Sequence, residues 1–340
     1  MGCEVSSSSV ASFWRWAGLD LLTAVGALLL APAMADAAEP VTLAVSRTPL
    51  SLPVYVAQSK GYFSAEGLDV RLIDCIGGHR CLQLMLEGQA DVATAGELPV
   101  VFNAFRRQDY AVIATLTTTA EDVKLVARGG NGAPAPKALQ DLAGKRVGVV
   151  VGTSSQYVLD LALLTSGVDP RGVTVLPLQP EDMLPAMRAG KVDAVCIWEP
   201  FAHAVVNGLD GGAALLPSAG GYLGTFNLVA QRRLLVPRDA MLQQLLRAID
   251  RAERLIQQNP AEAQRLLREQ LQLEPKSVEW VWKGLAFRLG LDQSLITTME
   301  GQARWALREG HASGELPNFL GLVHAGPLRQ AVPNAAGSLK

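Results

Sequence analysis

One unit of about 100 residues occurs twice in this chain, and that repetition restricts the fold more than any other feature of the sequence. Gly88 and Gly190 stand 102 positions apart (190 − 88), and the same offset separates Asp91 from Asp193, Glu97 from Glu199 and Tyr55 from Tyr157, each tyrosine followed by Val. No gap is needed to keep these landmarks in register. Within the first copy, VTLAVS (41–46) reads as a strand, VYVAQSKGYFSAEG (54–67) as a helix ending near Gly61, and LDVRLIDC (68–75) as a strand. CLQLMLEG is then a helix stopped by Gly88, ADVATA (90–95) a strand and LPVVFNAFRRQ a helix. The second copy runs in the same order through KRVGVVVG (145–152), SSQYVLDLALLTSG (154–167), VTVLPL (173–178), PEDMLPAMRAG, VDAVCI (192–197) and EPF. Short strands alternating with helices predict α/β layers around a mainly parallel sheet. Two copies predict two similar lobes.

The chain outside the copies decides how the lobes join. VKLVAR, inside 115–144, is strand-like and leads into a Gly/Pro-rich loop, a lobe boundary by composition. YLGTFNLVAQRRLL (222–235) reads as an extended return, and 239–310 reads as almost all helix, with SVEWVWKGLAFRL one of its helices. The second copy is thus nearly complete, whereas the first needs closing material. The resulting division is 41–118 plus 230–330 for a discontinuous first lobe and 129–225 for the second. Two crossings between lobes make a hinge, with 117–128 and 222–232 as the segments expected to flex, and a hinge implies a cleft that closes on a ligand.

Composition narrows the partners. The 340 residues are 49% hydrophobic and 18% charged, with a formal charge of −2, and Lys and Arg do not cluster. That balance argues against nucleic acid or an anionic membrane surface as partner. At the N-terminus Arg15 precedes AGLDLLTAVGALLLAPA (17–33) and then Ala33-Met34-Ala35, the pattern of a secretory signal, 1–35, cleaved near Ala35. A membrane anchor is the alternative, but the run is short and Asp20 interrupts it. Export means an oxidising compartment, here the periplasm. Cys3 would leave with the leader, so the mature chain keeps Cys75, Cys81 and Cys196. There is no CxxC and no Cys/His spacing of a zinc site, so neither a metal nor a cofactor is expected. Cys75 and Cys81 flank Gly77-Gly78 between a strand end and a first helical turn. That arrangement can bring Cα atoms within the roughly 4.4–6.8 Å a disulfide requires. A bond is expected, two separate buried thiols being the alternative.

PVYVAQSKGYFSAEGLDV, LEGQADVATAGELPV, DLAGKRVGVVVGTSSQYVLDLAL and MRAGKVDAVCIWEPF, in that order, resemble the nitrate/sulfonate/taurine-type solute-binding proteins of ABC transporters, the family that includes the thiamine-pyrimidine-synthesis-like domain. The resemblance covers roughly 41–330. It implies a type II periplasmic-binding-protein fold, two α/β lobes with a two-crossing hinge, and delivery of a small solute to an ABC permease with its ATPase; the residues at the cleft edge, below, lead us to expect an anionic organic solute (a sulfonate, a nitrate-like ion or a carboxylate). A monomer is expected. The pyrimidine-binding members begin with Asp-Trp and a paired Asn/His in the first loop, where this chain has SRTPLSLP (46–53), and the iron-binding cysteine stretch of yeast-type pyrimidine synthases is missing. An enzyme of the same fold remains the rival, because fold alone does not fix activity.

In open α/β sheets ligands bind beyond the carboxyl ends of the strands, where helix N-termini favour anions. In the first lobe that edge collects Thr48 and Ser51 from SRTPLSLP, Gly78, His79 and Arg80 from CIGGHRC, Glu97 from AGELP, and Thr118. In the second it collects Thr153, Ser154 and Ser155 from GTSSQ, and Trp198 and Glu199 from WEPF. The Gly77-Gly78 turn lets a ligand approach the backbone. Arg80 has the geometry for a carboxylate or sulfonate, unless it points to solvent. His79 adds a pH-dependent donor. GTSSQ is a helix cap and can also bind. Glu97 and Glu199 stand just ahead of Pro99 and Pro200; they fit helix-dipole capping better than cation binding or acid–base work. Trp198 is either a stacking wall or lobe-edge packing. Trp280 and Trp282 are expected in the core, and His203, His311 and His324 on surfaces without partners.

Overall fold

Each copy of the repeat builds the parallel half of one sheet, and the chain outside the copies builds the antiparallel halves. A computed structural model describes residues 38–129, 135–210, 212–217 and 220–337; the expected leader and its cleavage point near Ala35 lie outside the described residues. The first copy contains β1 (Glu39–Ser46), α1 (Leu52–Ser59), α2 (Tyr62–Ala65), β2 (Leu68–Cys75), α3 (Gly78–Leu86), β3 (Val92–Gly96) and α4 (Glu97–Ala104). After β4 (Tyr110–Thr119) and β5 (Val123–Arg128), the second contains β6 (Arg146–Val149), α5 (Ser154–Thr165), β7 (Thr174–Pro177), α6 (Met183–Arg188), β8 (Ala194–Trp198) and α7 (Phe201–Gly208). Then come β9 (Ala213–Leu215), β10 (Gly224–Gln231), α8 (Asp239–Gln258), α9 (Pro260–Leu271), α10 (Pro275–Trp282), β11 (Leu285–Gly290), α11 (Gln293–Arg308) and α12 (Gly326–Ala331).

The six-stranded sheet has the order β11-β4-β10-β3-β1-β2 and the five-stranded sheet the order β7-β6-β8-β5-β9. The pairs β2–β1, β1–β3, β7–β6 and β6–β8 are parallel, whereas β3–β10, β10–β4, β4–β11, β8–β5 and β5–β9 are antiparallel. The expected mainly parallel sheet is therefore a mixed one. The returning strands β10 and β5 each lie beside the last strand of a repeat and run against it.

The repeat landmarks have physical causes. Gly88 and Gly190 follow the last residues of α3 and α6 with φ of +81° and +65°. This left-handed conformation ends a helix at little cost only for glycine. Asp91 and Asp193 each turn a carboxylate to the backbone N–H of the strand alongside, Thr42 N and Arg146 N, both at 2.9 Å. The offset of 102 carries Val92–Gly96 onto Ala194–Trp198, so β3 and β8 match residue for residue.

One expectation fails for a stated reason. GLAFRL is a strand, not the end of a helix: Gly284 has φ +78° and stops α10, after which Phe287 and Leu289 alternate inward and pair β11 with β4. The segments expected to flex, 117–128 and 222–232, are mostly strand. Among the described strands, the chain passes from one sheet to the other between β4 and β5 and back between β9 and β10.

The C-terminal helices cover the first sheet. In α8, Met241, Leu242, Leu245, Leu246, Ala248, Ile249, Ala252 and Ile256 are buried at spacings of three and four, one face of a 3.6-residue period, and this helix packs on α1. Burying each such leucine contributes about 1.5–3 kcal/mol. Among the described residues, no helix is long and apolar enough to cross a membrane.

Candidate functional site

A cavity of about 730 Å³, its open mouth included, opens where the carboxyl ends of β1, β3 and β8 meet the two crossings. From the first sheet it is lined by Thr48, Leu50, Gly78, His79, Gly96, Glu97 and Pro99, and from the second by Thr153, Ser154, Val158 and Trp198. The crossings and the return strand add Thr119, Asp122, Val123, Tyr222, Thr225 and Phe226.

Local structure places these groups. Gly77 has φ +86°, and a Cβ there would stand 2.7 Å from the His79 ring and 3.1 Å from Trp198. A Cβ on Gly78 would meet the Ala95 Cα at 2.9 Å and the Phe226 ring at 3.1 Å. Only glycines allow α3 to start this close to β3. A Cys75–Cys81 disulfide, Cα–Cα 5.7 Å, ties the end of β2 to the first turn of α3. Across the cavity Thr153 caps α5: its hydroxyl accepts from Ser155 N at 3.3 Å and donates to the Val150 carbonyl at 2.7 Å.

Four polar atoms at this cavity are buried without a hydrogen-bond partner among the described residues: Thr48 Oγ1, His79 Nδ1, Asp122 Oδ1 and Trp198 Nε1. A buried polar group left unpaired costs about 1–3 kcal/mol. Four at one wall space is a concentration that folding alone does not explain. His79 meets Trp198 edge-on at 6.1 Å between ring centroids. Burial, with the charge of Arg80, lowers the His79 pKa to about 4, so at neutral pH its ring is uncharged. Burial first, and Glu199 second, push Asp122 up to about 8, so its carboxyl holds its proton at neutral pH.

Glu97 is different in kind. Fully buried, it accepts from Thr225 N at 2.9 Å, Thr225 Oγ1 at 3.0 Å, Gln302 Nε2 at 2.8 Å and the Tyr222 hydroxyl. Four donors saturate its oxygens and tie α4 to β10, α11 and the second crossing. It stands in the first turn of α4, where an acid complements the helix dipole, yet it does not accept from the N–H groups of that helix. Glu199 does: Oε2 accepts from His203 N at 3.0 Å in the first turn of α7. Its other oxygen takes Trp280 Nε1 at 2.5 Å and lies 3.6 Å from Lys124 Nζ, which also sits over the Trp280 ring. Burial raises the Glu199 pKa.

The expected site residues divide. Thr48, Gly78, His79, Glu97, Thr153, Ser154 and Trp198 line the cavity; Ser51, Arg80, Thr118, Ser155 and Glu199 do not. Arg80 spans the cleft instead, donating to Gln179 Oε1 at 2.8 Å and Glu181 Oε1 at 2.9 Å. Thr118 fails by strand parity: successive residues of β4 face opposite sides, and its neighbour Thr119 lines the cavity. Ser155 is locked inside, accepting from Val150 N and donating to the Cys196 carbonyl. Ser51 is buried with its hydroxyl unpartnered, one turn from the wall. Two of the histidines expected on surfaces without partners have partners: His203 is buried against Trp280 and Asn207, and His311 meets Trp305 and Asp160; His324 is half-buried. Trp280 and Trp282 are half-buried and pack against the first-sheet core, and the Trp280 N–H also reaches Glu199.

A family model described as NMT1/THI5 like matches residues 48–263, more than half of the chain. The chain belongs to this family. Among curated proteins, the taurine-binding periplasmic protein of Escherichia coli (strain K12) is 26% identical over 171 residues, 49% of this chain and 51% of that protein. Among solved structures, the periplasmic aliphatic sulphonate binding protein SsuA of Escherichia coli superposes with a TM-score of 0.71 at 18% identity, over 84% of this chain and 92% of that one. The desulfurization enzyme DszB superposes at 0.61 with 16% identity, over 87% and 99%. The fold is therefore the periplasmic-binding-protein fold.

Asp122, Thr119, Tyr222, Thr225 and Phe226 escaped the sequence. They lie in the crossings and in the return strand, outside the repeat, so no register marks them. The Asp in TTTAEDV, between two strand-like runs, was the one available signal, since a carboxylate at a sheet-to-sheet link has few structural uses.

Proposed function

We propose that this chain is an extracytoplasmic solute-binding protein that holds a small organic oxyanion, a sulfonate in the first instance, between its two sheets and passes it to an ABC permease with its ATPase. The observation that carries this reading is the set of four unpartnered buried polar atoms, on Thr48, His79, Asp122 and Trp198, around one cavity. At neutral pH three of these groups can donate, and the protonated Asp122 makes a fourth. No Lys or Arg is among the lining residues. A fully ionised oxyanion can be held by neutral donors and by the N–H groups opening α3 and α5, without a counter-cation. Leu50, Pro99, Val158 and Phe226 supply an apolar wall for an organic body. The names of the relatives point the same way.

On this reading the six-stranded sheet with the C-terminal helices is the first lobe and the five-stranded sheet the second, which moves the expected bounds (41–118 plus 230–330, and 129–225) so that β10 joins the first and β5 the second; the protein works as an exported, signal-cleaved monomer in the periplasm. We read it as a binder and not an enzyme. The lining hydroxyls that meet a carboxylate, those of Tyr222 and Thr225, serve to saturate Glu97. Thermal denaturation of the mature chain with ethanesulfonate, taurine, nitrate and acetate tests the solute class. A sulfonate should raise Tm by several degrees in a concentration-dependent way. No response to any sulfonate at millimolar concentration overturns the class.

A further inference from the structure

Asp122 stands in the three-residue link between β4 and β5, the first crossing between the sheets. Its backbone carbonyl accepts from Glu199 N at 3.2 Å, which fixes the link against the end of β8. Its side chain lines the cavity, with Oδ1 buried and unpartnered. The charged and titratable groups around it come from five elements. Glu199 follows β8, Lys124 lies on β5, Tyr222 precedes β10, Glu97 opens α4, and His79 sits in α3. Lys124 is engaged by Glu199 and by the Trp280 ring. Glu97 is saturated by its four donors. Lys124 favours an Asp122 carboxylate, but burial and Glu199 outweigh it, and none of the described lining residues is a Lys or Arg.

We propose that Asp122 selects the solute as a hydrogen-bond donor: its protonated carboxyl donates through the cavity-facing oxygen to an oxygen of a fully ionised oxyanion, and loss of that proton turns the site against the anion. This rests on the oxyanion reading above. Burial and Glu199 keep the proton in place to about pH 8, so the donor is present across the neutral range. The opposite role, a carboxylate that accepts from an ammonium or hydroxyl of the solute, would require the charge that the surroundings suppress.

The test is calorimetric titration of the mature protein with ethanesulfonate at pH 6.5 and pH 9, for the parent, Asp122→Ala and Asp122→Asn. His79 titrates near 4 and stays neutral at both pH values. The parent should bind about tenfold more weakly at pH 9 than at pH 6.5, because binding to the protonated form alone falls tenfold per pH unit above the carboxyl's pKa. Asp122→Ala should weaken binding at pH 6.5 by tenfold or more. Asp122→Asn, which supplies a donor that cannot ionise, should rescue most of that loss and remove the pH dependence. Parent affinity that is flat from pH 6.5 to 9 overturns the proposal without any variant. So does an Asn variant no better than the Ala variant, since that outcome assigns a carboxylate acceptor. A parent that binds no ethanesulfonate at either pH overturns the oxyanion reading together with this one.

Discussion

His79 and Asp122 face one cavity, and burial moves their pKa values in opposite directions, to about 4 and about 8. The stability consequences oppose each other as well. Between pH 6.5 and 4 the unfolded chain protonates His79 and the folded chain does not, so this group's contribution to stability is lost as pH falls through that window. Between the unfolded carboxyl pKa near 4 and pH 8 the folded chain keeps a proton on Asp122 that the unfolded chain releases, so stability falls as pH rises. Asp122→Asn should therefore gain on the parent as pH rises, with a larger advantage in urea midpoint at pH 8 than at pH 4.5. An advantage that is constant across those pH values would show that Asp122 ionises in the folded protein as freely as in water. At this scale the sequence is an uneven guide. Thr48, His79 and Trp198 were legible because they follow strands of the repeat. Thr119 was missed by one residue because the facing of a strand is set by its pairing, which the sequence does not display. Arg80 was legible as a cation at the cleft, but its partner Glu181 comes from the other sheet. The two are about a third or more exposed, so the pair contributes little to stability.

Among the elements, the start of α3 is the most constrained. Gly78 lies where a Cβ would press on the backbone of β3, at Ala95 Cα 2.9 Å and Gly96 N 3.2 Å, and backbone cannot swing aside as a side chain can. Gly78→Ala should destabilise the fold by roughly 1–3 kcal/mol, the scale of overpacking, and should displace the His79 ring from Trp198. Urea unfolding measures the first effect and tryptophan fluorescence the second. A midpoint within error of the parent's would mean that α3 is not held against β3 as described. The Cys75–Cys81 bond acts on the same turn from its other side. The Gly-Gly spacing made this turn readable in advance. β11 was not readable, since WVWKGLAFRL carries apolar residues that suit either period, and the left-handed Gly284 decides between them.

At the scale of the whole molecule, the repeat made the two-sheet plan legible, because four landmarks at one offset leave few alternatives. The polar design of the cavity was not legible. Its walls are drawn from segments spread between Thr48 and Phe226, and they converge only when the two sheets face each other. Side chains hold that facing from several directions: Arg80 with Gln179 and Glu181, Trp280 with Glu199, and Trp305 Nε1 with Asp160 Oδ2 at 3.2 Å. The central claim is that the donors left unpartnered by this arrangement are there for an oxyanion. It is tested most directly by calorimetric titration of ethanesulfonate, at pH 6.5, into the parent and into the double variant Thr48→Val, Trp198→Phe, which removes two donors and keeps an aromatic ring, though a smaller one, at the wall. A hydrogen bond to a charged group is worth about 1.5–3 kcal/mol. The parent should bind, and the double variant should bind at least a hundredfold more weakly while still unfolding cooperatively in urea, at a midpoint lowered by no more than the smaller ring costs. Equal affinity in the two proteins would contradict the account.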